Sequence, residues 1–138
     1  MQHLDGRVAV VTGAGSGIGR ALALRLAREG MRVVGADVEA GALEETADLL
    51  GSAGAEFTTR LCDVADHVQV EELAEVSYDT FGAVHLLCNN AGVFAGGLLW
   101  ERPREDWIPQ CLGRCGISPA PVARHAVPKI RHQRTRGV

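Results

Sequence analysis

Val8-Ala9-Val10-Val11-Thr12-Gly13-Ala14-Gly15-Ser16-Gly17-Ile18-Gly19 is the stretch whose reading decides the fold. A run of apolar, mostly β-branched residues enters a cluster of glycines and then a helical pattern, so the order is strand, tight turn, helix start. Gly13 allows the chain to turn sharply after the strand. Gly17 leaves no side chain in front of the helix N-terminus, and Gly19 permits close packing of helix on sheet. The unpaired amides at such a terminus carry roughly half a positive charge, so a phosphate is held there without a lysine. Ser16 and Ile18 are further cofactor-binding candidates in this cradle.

The spacing separates nucleotide-binding loops. G-x-G-x-x-G fails, because counting from Gly13 its last position falls on Ile18, and no Lys-Ser or Lys-Thr follows the glycines as a Walker loop requires. The pattern that fits is T-G-x-x-x-G-x-G at Thr12, Gly13, Gly17 and Gly19, which resembles the short-chain dehydrogenase/reductase family. A glycine-rich turn without a ligand is the competing reading of this stretch alone.

Working outward, Arg7 to Thr12 is the first strand and Ile18 to Glu29 the first helix, its apolar stripe formed by Ile18, Leu22 and Leu26, with Gly30 as the stop. Arg32 to Ala36 is a second strand ending at Asp37. A carboxylate there, about twenty residues past the glycine turn, can accept both ribose hydroxyls of adenosine and repels a 2'-phosphate. This favours NAD over NADP; capping of the next helix is the alternative. Glu39 to Leu50 is a second helix, acidic on its outer side, released at residues 51–54, and Glu56 to Cys62 is a third strand.

Asp66 to Phe81 is the third helix. The resemblance implies that Asp63 and Val64, after the third strand, contact the adenine ring; helix capping by Asp63 is equally open. Val84 to Cys88 is a fourth, buried strand, followed by Asn89-Asn90-Ala91-Gly92. The family carries N-N-A-G at this point, which implies that Asn90, Ala91 and Gly92 pass beneath the cofactor ribose. Strands alternating with helices predict an α/β fold, a Rossmann-type doubly wound parallel sheet, incomplete at about four strands, in the order 3-2-1-4. The four loops then meet at one sheet edge, where open α/β sheets bind ligands.

Residues 1–107 read as a dinucleotide-binding half-domain and 108–138 as an aberrant basic tail. Through Trp107 there are 8 basic and 17 acidic residues, whereas beyond it there are 6 basic and none acidic. Glu101 to Trp107 still resembles the opening of the family's fourth helix. Pro109, Gly113, Gly116, Pro119 and Pro121 then forbid one continuous helix, each interior proline costing ~3 kcal/mol. Residues 108 to about 121 read as a locally altered version of that helix, with Ala126 to Ile130 resembling its end.

The family's reaction uses a Ser and a Tyr-x-x-x-Lys pair, in which the ammonium lowers a phenol pKa of about 10 toward neutrality. The resemblance places these beyond Val138. Tyr78 is the sole tyrosine and Lys129 the sole lysine, and no lysine lies four residues after Tyr78, so no catalytic residue is assigned. Two readings stay open: an NAD(P)-dependent oxidoreductase transferring hydride between nicotinamide and an alcohol or carbonyl, and a catalytically inactive NAD-binding fragment. Remote alternatives are a zinc module from Cys111, Cys115, His125 and His132, whose spacing departs from zinc fingers, and nucleic-acid binding by the basic tail.

Apolar residues make up 46% of the 138-residue chain and the net charge is −3, which excludes a disordered class, and no apolar run approaches the ~20 residues of a membrane span. A cytoplasmic location without a membrane partner is expected. The four cysteines do not form a secreted disulfide framework; Cys62 and Cys88 read as buried free thiols in strands. The expected partners are a nicotinamide dinucleotide and, for a complete chain, a small alcohol or carbonyl substrate, with a homo-oligomer open and no specific nucleic acid.

Overall fold

The computed structural model describes residues 4–92. Seven elements alternate: β1 Val8–Thr12, α1 Gly17–Arg28, β2 Arg32–Asp37, α2 Ala40–Ser52, β3 Phe57–Leu61, α3 His67–Phe81 and β4 Leu86–Cys88. The strands form one parallel sheet in the order β3-β2-β1-β4, as the sequence predicts. Its register runs through Val10, which lies opposite Val34 on one side and Leu87 on the other.

The period of two in the central strands creates two cores. Val8 and Val10 of β1 and Val34 and Ala36 of β2 pack on the side of Val70 and Leu73 from α3. Val11 and Val33, offset in their strands, pack on the other side with Ala23 of α1 and Leu43 and Leu50 of α2. Every residue of β1 is buried, as a strand covered on both faces must be. Helices on both faces make the sheet doubly wound.

Turn chemistry explains the helix ends. Gly30, Gly54 and Gly82 have φ of 81°, 70° and 76°, a left-handed conformation that glycine adopts without cost after a helix. Because the release falls at Gly54, α2 continues through Gly51 and Ser52, two residues past the predicted end.

Other expectations are corrected. Ile18 does not join the inward stripe of α1; it is 73% exposed, because the first turn of the helix projects beyond the sheet edge. Leu22 and Leu26 do pack on the core, around the more deeply buried Ala23. The fourth strand is shorter than Val84 to Cys88, and none of Leu86, Leu87 and Cys88 is fully buried, because among the described residues β4 pairs only with β1. Cys62 is buried but follows β3, while Cys88 is half-buried in β4; both are free thiols. Residues 93–107 of the first sequence unit and the whole of 108–138, with the tail cysteines and histidines and Lys129, lie outside the described residues.

Candidate functional site at the carboxyl edge of the sheet

The glycine turn sits where β1 ends and α1 begins, and its glycines differ in what surrounds them. Gly13 has φ +67°, and a Cβ there would lie 2.9 Å from Ala91 Cα and 3.0 Å from Asn90 Nδ2. At Gly19 a Cβ would collide with the Gly13 carbonyl and lie 2.6 Å from Asn90 Nδ2. Gly19 therefore lets the helix press on the turn and on the Asn90 loop, a tighter contact than packing on the sheet. Gly17 has φ +50° and nothing within 4 Å of a Cβ position, so the space in front of α1 is open.

Ser16, Gly17 and Ile18 are exposed around that space. Ser16 is the N-cap of α1 but its side chain makes no capping hydrogen bond, and the first turn holds no acidic residue. The terminal amides thus point outward without a side-chain acceptor, an arrangement that suits an anion.

Asp37 closes one flank. Its Oδ2 accepts the Gly15 amide at 2.8 Å, and its Oδ1 accepts the amides of Val38 at 2.8 Å and Glu39 at 3.1 Å. The N-cap of α2 is Glu39, not Asp37, so helix capping does not account for the carboxylate. Three backbone donors fix its orientation, leaving about one of its roughly four lone-pair sites free.

Asp63 likewise leaves capping to another residue. Asp66 is the N-cap of α3 and accepts the Val68 amide at 2.9 Å, while Asp63 Oδ1 accepts the Ala65 amide at 2.9 Å and the Asp63 amide donates to Gln69 Oε1. Gln69 Nε2 donates to Asp66 Oδ2 at 3.0 Å, and this bond, followed by the Val68 amide, holds the Asp66 carboxyl below the usual carboxylate range. Val64 packs partly against the core beneath.

On the opposite flank, Thr12 joins β1 to the turn after β4. Its buried hydroxyl donates to the Cys88 carbonyl at 3.3 Å and accepts the amides of Asn90 and Ala91, each at 3.1 Å. Asn90 Nδ2 donates back to the carbonyls of Thr12 at 3.1 Å and Gly13 at 3.3 Å. The segments carrying Gly13, Asp37 and Asn90 are thus directly bonded, and Asp63 follows the adjacent strand β3.

Cys62 contributes no nucleophile here: burial pushes its thiol up to about 11, with Asp63 and Asp66 adding to the effect. Burial also raises the Cys88 thiol. Among the described residues no group of three His, Cys, Asp or Glu side chains is placed to hold a metal.

The family model for short chain dehydrogenases matches residues 7–137. The chain belongs to the short-chain dehydrogenase family. Its relatives include 1-deoxy-11-beta-hydroxypentalenate dehydrogenase of Streptomyces arenae, 50% identical over 105 residues, covering 75% of this chain and 37% of that protein. D-threitol dehydrogenase of Mycolicibacterium smegmatis is 39% identical over 105 residues, covering 76% and 40% respectively. The matched part of this short-chain dehydrogenase chain therefore covers well under half the length of these curated relatives.

Solved structures agree on the fold. A Burkholderia phymatum short chain dehydrogenase/reductase in complex with NAD superimposes with a TM-score of 0.79 at 48% identity, covering 93% of this chain and 44% of that one. A metagenomic short-chain oxidoreductase in complex with NADP gives 0.82 at 31% identity, covering 92% and 57%. Nicotinamide dinucleotides of both kinds are thus bound by structural neighbours.

Sequence reasoning missed three contributors: the Thr12 hydroxyl, the Gly15 amide that meets Asp37, and Arg20. Thr12 was legible only as part of a motif, since its partners lie 76 to 79 residues away. Arg20 follows Gly19 directly and reads as an ordinary helix-surface cation.

Proposed function

We propose that this chain carries the cofactor-binding half of an NAD-dependent oxidoreductase that acts on an alcohol or carbonyl. The supporting observation is the Asp37–Gly15 bond beside the open N-terminus of α1. The pyrophosphate would lie on the amides of Ser16, Gly17, Ile18 and Gly19, and Asp37 would take the adenosine ribose. A 2'-phosphate there would face a carboxylate already committed to its position, so like-charge repulsion would disfavour NADP.

Adenine would fall between the ends of β2 and β3, with its edge against Asp63 and Val64. Val38, 58% exposed, offers an apolar surface beside them. Asn90, Ala91 and Gly92 would support the ribose on the nicotinamide side. When bound, the nicotinamide supplies hydride exchange; the described residues bind and orient it.

No Tyr-x-x-x-Lys occurs among the 138 residues, and Tyr78 lies in α3 beside Val10, Leu73 and Leu87, facing an apolar cleft. That observation favours a second reading for the chain as given, NAD binding without turnover. No helix of the described residues is long and apolar enough to cross a membrane, and a cytoplasmic place remains part of the proposal.

Calorimetric titration of the chain with NAD and with NADP tests the reading. NAD is expected to bind about tenfold or more tightly than NADP, the factor of ~1.4 kcal/mol. Equal or tighter NADP binding would overturn the preference, and absence of binding by both would overturn the site.

A further inference from the structure

Arg20 is placed where it can govern the geometry of Asp37 without touching it. Its guanidinium donates to the Gly15 carbonyl, to the Ala42 carbonyl at 3.1 Å and to Glu45 Oε2 at 2.8 Å, and its Nε donates to Thr46 Oγ1 at 2.9 Å. Thr46 is fully buried and passes its own proton to the Ala14 carbonyl at 2.9 Å, with Ala42 O at 3.1 Å as the alternative. One fork thus spans the glycine turn and the first half of α2.

The peptide units on either side of Gly15 are gripped by different groups. The Gly15 amide donates to Asp37, and the Gly15 carbonyl accepts from Arg20. The Ala14 carbonyl and the Gly15 amide belong to one planar peptide unit, so the Thr46 hydroxyl that holds that carbonyl, itself held by Arg20, fixes the direction of the amide and with it the seat of the Asp37 carboxylate. The side chain is 26% exposed against 69% for Glu45, so the ion pair between them is largely a solvent-screened contact. The bonds to Gly15, Ala42 and Thr46 carry the positioning.

We infer that Arg20, seated on Thr46, is a positioning residue that sets discrimination between NAD and NADP by locking Asp37 against the glycine turn. This rests on the proposed dinucleotide site. An arginine is needed because the planar fork reaches several acceptors at fixed angles; a lysine keeps the charge but is a single point donor. Charge and geometry are therefore separable.

The experiment compares the chain with its R20K and T46V variants by titration with NAD and NADP, together with hydrogen exchange at the Gly15 amide of the free chain. Both variants are expected to weaken NAD about tenfold, the factor of one hydrogen bond to a charged group, while NADP changes much less. The Gly15 amide should exchange faster in both, and the double variant should not add a second tenfold loss. Thermal melts check that each variant is folded; T46V supplies the answer if R20K does not fold.

A wild-type chain that binds neither dinucleotide would overturn the site reading, and one that binds both with no preference for NAD would overturn the NAD preference and this proposal together. A wild-type preference retained unchanged in a folded variant, or equal losses for the two dinucleotides, would overturn the role of Arg20 alone.

Discussion

Asp37 Oδ2 lies 2.8 Å from the Gly15 amide across 22 residues of sequence, joining the end of β2 to the turn after β1. The bond gives the carboxylate a fixed direction before any ligand arrives. Replacing Asp37 with Ser is expected to remove both the ribose acceptor and the repulsion toward a 2'-phosphate. NAD affinity should fall about tenfold and the NAD-to-NADP ratio should shrink toward unity, as hydrogen bonds to charged groups are worth ~1.5–3 kcal/mol. Fluorescence titration with both dinucleotides measures it; an unchanged ratio would contradict the role of Asp37.

The glycines of the turn should separate folding from binding. Gly19→Ala forces a methyl into the Gly13 carbonyl and Asn90, and overpacking of this kind costs about 1–3 kcal/mol. Gly17→Ala meets open space and should cost only the ~1–2 kcal/mol of a left-handed residue, while placing a methyl in front of the helix N-terminus. A denaturant midpoint lowered more by G19A, with dinucleotide binding lost in a still-folded G17A, is the expected pair of results.

Thr12 offers a test of the joint between β1 and the Asn90 loop. Thr12→Val keeps the shape but leaves the Asn90 and Ala91 amides without their acceptor, an unfolding free energy loss of ~1–3 kcal/mol for each group left unpaired. Thr12→Ser should retain the bonds and lose only about 0.8 kcal/mol for the missing methyl group. If the Val and Ser variants unfold at the same urea concentration, the hydroxyl network does not hold the loop.

Two groups shift stability in opposite pH ranges. Asp66 is held below the ordinary carboxylate value by Gln69 and the Val68 amide, so its contribution is present above the unfolded-state pKa and is lost as pH falls through the depressed folded value. Asp66→Asn, which still caps α3, should flatten the acid limb of a melting-temperature profile.

Cys62 behaves in the converse way. Its folded thiol ionises at about 11 against an ordinary 9.0, so its contribution is complete below pH 9 and disappears as pH rises through about 11. Cys62→Ala should flatten that alkaline limb. At neutral pH the native Cys62 is expected to resist thiol-labelling reagents until the chain is unfolded, and rapid labelling of the folded protein would refute its burial.

Much of the fold was legible because it rests on local signals. The apolar run at Val8, the glycines at 13, 17 and 19, and Gly30 mark strand, turn and helix end through local conformational preferences. Asp37 could be named from its place at the end of a strand about twenty residues past the glycine turn, whereas Asp63 and Asn90 were named from the family resemblance; parallel strands with right-handed crossovers bring these strand ends to one edge. The exposure of Ile18 was not legible, because helical periodicity gives a stripe without saying where the sheet stops.

By itself the sequence determined the alternation of strands and helices, the strand order and the carboxyl-edge position of the glycine turn, since these follow from local propensity and the handedness of parallel crossovers. Only the tertiary structure decided which acids cap helices and which face the turn. It also decided that Thr12 reaches Cys88, Asn90 and Ala91, and that Arg20 reaches Gly15 and Thr46. These are hydrogen bonds between segments distant in sequence, whose partners are chosen by where backbone groups are left unsatisfied once the sheet has assembled.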